Sequence, residues 1–310
     1  MNDHSVLAPQ SPDAARIAEL AWTLFGMAGV VIVIVLLALA LALRGSSATR
    51  ARLATRAMIV GAGIAFPGVV LTLLLAYGTW LMRVGDAEAL PPDTLRIEVT
   101  GEQWWWRVAY VDAQGQRIAS ANELRIPVGR TIELSLASAD VIHSFWVPRL
   151  AGKLDMIPGR TTRLHLRADH AGIFRGQCAE YCGGAHALMA FEVIALAPDE
   201  FETWLRREAA AAAEPASEAG RQGRDLFLAA GCGGCHAIRG TEASGTIGPD
   251  LTRLASRRWL GANTVRLTAD NLAAFIVSSQ HLKPGNRMPE FRVFSAEEFS
   301  VLTAYLAELY

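Results

Sequence analysis

Two long stretches near the start of the chain contain apolar and small residues but no Asp, Glu, Lys or Arg: Leu20 to Leu43 and Ala57 to Met82. Each exceeds the roughly 20 residues that a helix needs to cross the hydrocarbon core of a membrane. Pro67 and several glycines interrupt the second stretch, which membrane helices tolerate. The pattern predicts a two-helix transmembrane hairpin, with helices at about 20–43 and 57–82, inside an N-terminal region spanning 1–93.

The segment between the two stretches, Arg44 to Arg56, contains four Arg and no acidic residue. A short basic loop of this kind stays in the cytoplasm, so both termini and everything after Met82 are expected on the outer side. A cleaved signal peptide is the alternative for the first stretch. Its leader carries one Arg against three acidic residues, and the stretch exceeds an apolar signal core of about 7–15 residues, so we favour a retained helix.

After Thr94 the pattern changes to short segments in which apolar and polar positions alternate, with Gly, Pro or Asp between them. This alternation is typical of a small all-β sandwich or barrel, expected over 94–206. The predicted strands are Leu95–Thr100, Trp106–Tyr110, Thr131–Leu136, Thr162–Arg167 and Ala190–Leu196.

The remainder of the chain has a helical pattern. Pro198 and Asp199 open a helix, and Asp199 with Glu202 fits an acidic variant of the capping box. An Ala-rich connector at 207–216 is expected to be semi-rigid. An all-α domain follows at 217–310, where Ser295 and Glu298 form a capping box before an amphipathic last helix.

Composition narrows the class of protein. The chain has 310 residues, of which 19% are charged, below the roughly 25% of ordinary soluble domains. Because the two apolar stretches account for this deficit, the rest is a normal soluble protein attached to a membrane. These values exclude a purely cytosolic enzyme, a many-helix transporter and a disordered chain. A net charge of −1 argues against a nucleic-acid partner.

A first group of metal-binding residue types surrounds two of the four cysteines. Its members are His143, Cys178, Cys182, His186 and Met189. Two thiolates, two imidazoles and a thioether are soft donors that suit copper or zinc, and a mononuclear blue-copper site needs only one Cys. Two thiolates can bridge two copper ions, each capped by one His, with Met189 and the Glu180 carbonyl as weak further contacts. A Cys178–Cys182 disulfide and a zinc site are the alternatives, but neither requires the His and Met at these spacings.

The other two cysteines form the haem-attachment motif C-x-x-C-H, with Cys232, Cys235 and His236. No further cysteine remains for a zinc knuckle. Met288 is the candidate for the sixth iron ligand, since Met/His ligation raises the reduction potential. His281 is the rival, although its place fits the end of a helix better. Haem attachment takes place outside the cytoplasm, which agrees with the orientation inferred from the Arg loop.

The region from Arg16 to Arg206 resembles subunit II of cytochrome c oxidase and its cupredoxin domain. The motifs that carry the resemblance are G-Q-C-x-E-x-C-G-x-x-H-x-x-M from Gly176, V-x-H-S-x-x-V-P from Val141 and a tryptophan run after Gly101. The resemblance implies a magnesium ion at the boundary with subunit I, reached by the side chain of Glu180, and electron arrival from cytochrome c at Trp104. The dicopper (CuA) ligands that it implies are His143, Cys178, the Glu180 carbonyl, Cys182, His186 and Met189.

The region from Ser217 to Tyr310 resembles class I cytochromes c, with one covalent haem c and a carbonyl, here that of Pro249, orienting the proximal histidine. The two resemblances together imply subunit II of a caa-type oxidase, a proton-translocating oxidoreductase. This chain would relay electrons from an external donor through haem c and copper to subunit I, where oxygen is reduced, and would hold no catalytic residue itself. The copper subunit of a nitric-oxide reductase and a membrane-anchored copper-delivery module are the alternatives.

The resemblance also implies the surroundings of the chain: subunits I and III, a small redox protein as electron donor, and membrane lipid. The implied location in a bacterium is the inner (plasma) membrane, with the redox domains on its periplasmic side. This sequence departs from the family pattern at Val60, where many relatives have a glutamate at the mouth of a proton channel. No acidic residue occurs between Arg44 and Met82, so proton uptake must differ or depend on subunit I.

Overall fold

The computed structural model describes residues 4–86, 90–91, 94–112 and 114–310. Its contacts divide the chain into two units, one covering 6–90 and the other comprising the first residues and 91–310. We describe each unit by itself.

The N-terminal unit consists of helices. They are α1 (Pro12–Arg44), α2 (Ser47–Leu53), α3 (Arg56–Val60), a π-helical turn (Gly61–Ala65) and α4 (Phe66–Asp86). Helix α1 begins where the Ser11 side chain accepts a hydrogen bond from the Ala14 amide, 3.0 Å away. The Tyr77 hydroxyl donates to Glu19 at 2.8 Å and joins α4 to α1. Both spans that are long and apolar enough to cross a membrane, Pro12–Arg44 and Arg56–Arg83, extend beyond the charge-free stretches because the helices continue into polar residues.

The second unit begins with a β-sandwich. Its strands are β1 (Arg96–Glu102), β2 (Trp105–Val111), β3 (Arg117–Ala121), β4 (Glu123–Pro127), β5 (Ile132–Ser138), β6 (His143–Trp146), β7 (Leu154–Met156), β8 (Thr162–Leu166), β9 (Gly172–Cys178) and β10 (Ala190–Leu196). One sheet has the order β3-β2-β1-β5-β8, and the other has the order β4-β10-β9-β6-β7. All five predicted segments form strands. The sequence pattern missed β3, β4, β6, β7 and β9.

Aromatic rings fill the space between the two sheets. Trp106 from the first sheet packs against Phe191 and Phe145 from the second, with ring centroids 4.9 and 5.9 Å apart. A Cβ atom at Gly176 would lie 2.2 Å from the Phe191 ring, so only glycine allows this close approach. Trp106 is therefore a core residue of the sandwich.

A helix closes the sandwich domain. Helix α5 (Pro198–Ala209) begins after Ala197 without any side-chain cap, and Pro198 occupies its first position. The acidic capping box predicted at Asp199 and Glu202 is therefore wrong, because the proline already supplies the start. On its inner face Trp204 packs against Tyr110, with ring centroids 5.0 Å apart.

The C-terminal part is helical with one short hairpin. Its elements are α6 (Glu218–Ala229), 3-10 turns at Cys232–Gly234 and Leu254–Ser256, β11 (Trp259–Leu260), β12 (Val265–Arg266), α7 (Ala269–Val277), α8 (Ser279–Leu282) and α9 (Ala296–Ala307). Helices α6 and α9 pack closely, since a Cβ at Gly223 would lie 2.0 Å from the Val301 carbonyl oxygen. The capping box of Ser295 and Glu298 at the start of α9 is confirmed.

The helical part packs directly onto the sandwich. The Arg258 side chain pairs with Glu192 at 2.8 Å, and the Trp259 indole donates to the same carboxylate at 2.9 Å. The Arg258 amide donates to Glu123 at 2.6 Å. Ala262 is fully buried among the core residues of the sandwich. The two domains thus share a polar interface with buried acceptors as well as an apolar contact.

The Ala-rich connector also belongs to this interface. The Arg253 guanidinium donates to the carbonyls of Arg207, Ala210 and Ala211, at 2.8, 3.1 and 3.1 Å. The first residues of the connector continue helix α5, and the next ones are held against the helical domain. The connector is therefore a packed segment of the interface.

Candidate copper and haem sites

The candidate copper ligands converge at one end of the second sheet. Cys178 ends β9, and His143 begins β6, which pairs with β9 in antiparallel register. Cys182 lies in the following loop, and a 3-10 turn (His186–Leu188) precedes Met189. The side-chain atoms are in contact: Cys178 Sγ–Cys182 Sγ 3.7 Å, Cys178 Sγ–His143 Nδ1 3.8 Å, Cys182 Sγ–His186 Nδ1 3.5 Å and Cys182 Sγ–Met189 Sδ 3.8 Å.

Asp140 orients the deeper histidine. Its carboxylate lies 2.8 Å from His143 Nε2, and it also accepts hydrogen bonds from the backbone amides of Gln103 and Val141, each at 2.7 Å. This leaves His143 Nδ1 facing the thiols as a ligand atom. A Cβ at Gly101 would lie 2.7 Å from the His143 ring, so the opposite side of the ring is packed as well. Sequence reasoning missed Asp140, although a carboxylate three residues before a candidate ligand is a usable signal.

The two thiols are electrostatically coupled. The hydrogen bond between the two thiols is the largest cause that lowers the pKa of Cys178, and the His143 ring lowers it further. The same bond, together with burial, raises the pKa of Cys182. The pair therefore holds one negative charge easily and resists a second. A bound cation would remove this penalty, which is how ligand deprotonation is coupled to metal binding.

These residues fit a pair of copper ions. His143, Cys178 and Cys182 place their ligand atoms within 4.8 Å of one another, and the group is buried. The Glu180 carbonyl lies 3.2 Å from Cys178 Sγ and adds an oxygen donor. Two thiols, two imidazoles and a thioether are a soft donor set that favours copper. The carboxylate of Glu180 points elsewhere, since one oxygen lies 3.9 Å from Lys153 Nζ and the side chain is half exposed.

The candidate haem ligands line a cleft of about 300 Å³. Cys232, Cys235, His236 and Met288 all lie on its wall, whereas His281 is exposed in α8, which favours Met288 as the sixth ligand. Most of the lining is apolar and includes Phe227, Leu251, Leu254, Leu272, Phe275 and Leu302. Two thiols, an imidazole and a thioether around an apolar cleft fit a covalently bound haem.

Backbone groups hold the proximal histidine. The Pro249 carbonyl lies 2.8 Å from His236 Nδ1, which leaves Nε2 available to bind a haem iron. Burial is the main cause that lowers the pKa of His236, so the ring is kept neutral for ligation. A Cβ at Gly248 would lie 2.6 Å from the His236 ring, which shows how closely the chain packs against it.

Trp104 connects the two sites. Its indole nitrogen donates to the carbonyl of Cys182 at 3.0 Å, and its ring also lines the haem cleft. A Cβ at Gly285, in the loop that carries Met288, would lie 3.0 Å from this ring. Trp104 is only 9% exposed, and it belongs to the core cluster of the sandwich.

Sequence reasoning also missed Lys283, which no motif marks. Its side chain is 2% exposed, and Nζ donates to the carbonyls of Leu188 and Gly261 at 2.8 and 2.5 Å. Burial is the main cause that lowers the pKa of Lys283 to about 7. The residue therefore joins the copper-ligand loop to the helical domain.

A cupredoxin-like sandwich with a soft donor set, a haem cleft beside it and two membrane-spanning helices define a membrane-anchored electron-transfer protein. Comparisons with known proteins agree. Residues 112–196 match the family model for the periplasmic domain of cytochrome c oxidase subunit II, and residues 221–310 match the model for cytochrome c.

Individual relatives match most of the chain. Cytochrome c oxidase subunit 2 of Alkalihalophilus pseudofirmus is 39% identical over 242 residues, covering 78% of this chain and 69% of the relative. The Bacillus subtilis protein of the same name is 31% identical over 257 residues, covering 79% of this chain and 70% of that relative. Among solved structures, the periplasmic domain of oxidase subunit II (CoxB) of Bradyrhizobium japonicum is 33% identical, covering 39% of this chain and all of that one, with a TM-score of 0.36.

The chain belongs to the cytochrome c oxidase subunit II family and carries a fused cytochrome c domain. It is an electron-relay subunit of a haem-copper oxidase, with copper and haem c as its redox groups and subunit I as its partner. The helical hairpin anchors it in the membrane, and the copper domain is periplasmic.

Proposed function

We propose that electrons from a small external redox protein reach a haem c at Cys232, Cys235, His236 and Met288, and then a dicopper centre that delivers them to subunit I for oxygen reduction. The single observation that carries this order is the position of Trp104, which lines the haem cleft and donates to the Cys182 carbonyl at 3.0 Å. The proposed ligands of the dicopper centre are His143, Cys178, the Glu180 carbonyl, Cys182, His186 and Met189.

The residues of the chain bind and orient the redox groups. When bound, the haem and the copper pair supply two one-electron carriers. Asp140 fixes the ring of His143, and the Pro249 carbonyl fixes the ring of His236, so both imidazoles are preorganised for their metals. The rigid sandwich limits movement of the copper ligands during electron transfer. No acid, base or nucleophile of this chain takes part, and the oxygen chemistry belongs to subunit I.

The finer features of the assembly are also proposals. The Glu180 carboxylate is half exposed while its carbonyl faces Cys178, so one residue can serve copper and a magnesium ion shared with subunit I. The basic residues Arg50 and Arg52, at the end of α2, support a cytoplasmic loop, with both termini on the periplasmic side of a bacterial inner membrane. Lipid and subunits I and III would surround the hairpin. We place the domain boundaries at 1–93, 94–206, 207–216 and 217–310.

Purification of the complex in mild detergent tests the proposal. We expect reduced c-type haem bands, a mixed-valence dicopper EPR signal, and turnover with oxygen when a small reduced redox protein is supplied. A mononuclear copper signal, or zinc alone, would contradict the dicopper assignment. Turnover with nitric oxide but not with oxygen would contradict the oxidase assignment.

A further inference from the structure

The buried ammonium of Lys283 is a feature that the binding of copper and haem does not require. Its hydrogen bonds go to two carbonyls, and no carboxylate pairs with it among the residues that the structure describes. A polar group buried this deeply is costly unless its hydrogen bonds are made, and Lys283 makes both of these. These hydrogen bonds join two domains, since Leu188 belongs to the sandwich domain and Gly261 to the cytochrome domain.

At the sandwich end, the ammonium contacts the copper-ligand loop. Leu188 lies between His186 and Met189 in the 3-10 turn and directly precedes Met189. Its carbonyl accepts from Lys283 Nζ at 2.8 Å. At this distance the contact is a full hydrogen bond. Lys283 therefore holds the backbone that presents both of these candidate copper ligands.

At the cytochrome end, Lys283 is fixed to the haem-ligand loop. The side-chain Nδ2 of Asn286 donates to the Lys283 backbone carbonyl at 2.7 Å, and its side-chain Oδ1 accepts from the Met288 backbone amide at 2.8 Å. The Ser279 hydroxyl donates to the Met288 carbonyl at 2.8 Å. A continuous series of hydrogen bonds thus runs from Leu188 through Lys283 and Asn286 to Met288.

We propose that Lys283 is a positioning residue that joins the Met288 loop to the Leu188 carbonyl and so fixes the separation of the haem and copper centres for electron transfer. The proposal rests on the proposed function, since it needs both centres. One electron leaves the haem iron and one electron reduces the copper pair, so the step requires no proton and no further reactant. Lys283 is also one of the residues that line the haem cleft, but it acts on the two centres through the loops that carry their candidate ligands.

The test is Lys283→Met in the purified oxidase complex, because methionine keeps much of the side-chain volume but donates no hydrogen bond. The matched control is Arg258→Met, which removes the interdomain ion pair with Glu192 and touches neither ligand loop. Haem c is reduced by a light pulse with an attached photoreductant, and the rate of electron arrival at copper is followed by absorbance. The dicopper EPR signal and the absorption band of methionine-ligated ferric haem are recorded for each variant.

We expect Lys283→Met to slow the transfer several-fold, because the rate of electron transfer falls as the two centres move apart, with both spectroscopic signals retained. Arg258→Met should change the rate by less than about twofold, because the hydrogen bonds of Lys283 persist. An unchanged rate in Lys283→Met, or equal slowing in Arg258→Met, would overturn the proposal. If the Lys283→Met complex does not assemble, the electron-transfer rate is measured in Asn286→Ala instead. A slower transfer in that variant would support the positioning role of Lys283, and a wild-type rate would refute it. Lack of either centre in the unmodified complex would instead contradict the proposed function.

Discussion

The copper-ligand region and the haem-ligand region prepare their sites in different ways. Cys178, Cys182 and Met189 are buried, and their sulfur atoms already contact each other at 3.7 to 3.8 Å, held by a strand end and a short turn. Cys232 and Cys235 are half-buried and lie with Met288 on the wall of a cleft. The sandwich has an aromatic core of its own, whereas many core residues of the cytochrome domain also line the haem cleft. A haem bound in this cleft would therefore complete the cytochrome core, whereas copper would be added to a sandwich that already has its own core.

The largest effects are expected when one candidate sulfur ligand is removed from each site, and they test whether the two sites are built differently. Cys182→Ser should abolish the dicopper EPR signal and leave the haem spectrum nearly unchanged, and it should lower the thermal stability of the sandwich only by the contribution of the bound copper. Cys235→Ser should impair covalent haem attachment and strongly destabilise the cytochrome domain, because its core then lacks a firmly bound group. EPR, haem spectra in alkaline pyridine and calorimetry measure these outcomes. A dicopper signal that persists in Cys182→Ser would refute the ligand assignment.

A smaller effect should follow from crowding each histidine. A Cβ at Gly101 would lie 2.7 Å from the ring of His143, and one at Gly248 would lie 2.6 Å from the ring of His236. We expect each Gly→Ala variant to lose about 1–3 kcal/mol of unfolding free energy through overpacking. Gly101→Ala should change only the dicopper EPR signal, and Gly248→Ala only the haem spectrum.

Gly172→Ala is the matched control for these two substitutions. Its added Cβ would meet the Phe174 ring at 3.5 Å, an ordinary contact distance. Neither spectrum should change in this variant. If Gly101→Ala left the dicopper signal as it is in the unmodified protein, the tight packing around His143 would have no role in the copper geometry.

The interface between the two domains should contribute less than either core. Glu192→Gln removes the charge that pairs with Arg258 at 2.8 Å and accepts from the Trp259 indole at 2.9 Å. We expect a loss of about 1–3 kcal/mol and faster proteolysis of the connector, which becomes accessible when the domains separate. Glu98→Gln, which affects the exposed pair with Arg117, is the control and should cost less than about 1 kcal/mol. Equal proteolysis of both variants would contradict a packed connector.

The same two regions show what sequence can and cannot predict. The proximity of the candidate copper ligands was predictable, because motif spacing keeps Cys178, Cys182 and His186 together on one loop. Strands β6 and β9 were not predictable from the alternation of apolar and polar residues. Strand β6 is only four residues long, and the pattern of β9 is interrupted by glycine and arginine. Asp140 left a weak signal in its spacing from His143. Lys283 left none, because its contact with Leu188 joins residues from two domains and exists only after they pack.

The smallest expected effect concerns a tyrosine in each core at alkaline pH. Burial raises the pKa of Tyr110 far above its ordinary value, and its hydroxyl both donates to the Arg125 carbonyl at 3.0 Å and accepts from the Arg125 amide at 2.7 Å. Burial also raises the pKa of Tyr305 in the cytochrome domain, by a smaller amount. Because each folded-state pKa exceeds the unfolded value, the folded protein binds more protons above about pH 10, and stability falls as the pH rises.

We expect the sandwich to lose up to about 1.4 kcal/mol of unfolding free energy per pH unit from Tyr110, and we expect Tyr110→Phe to remove this dependence on pH. Denaturant unfolding of each domain, followed across this pH range by its own spectroscopic signal, measures it. A steeper loss in the cytochrome domain, or an unchanged slope in Tyr110→Phe, would show that the sandwich core does not hold Tyr110 as tightly as its contacts indicate.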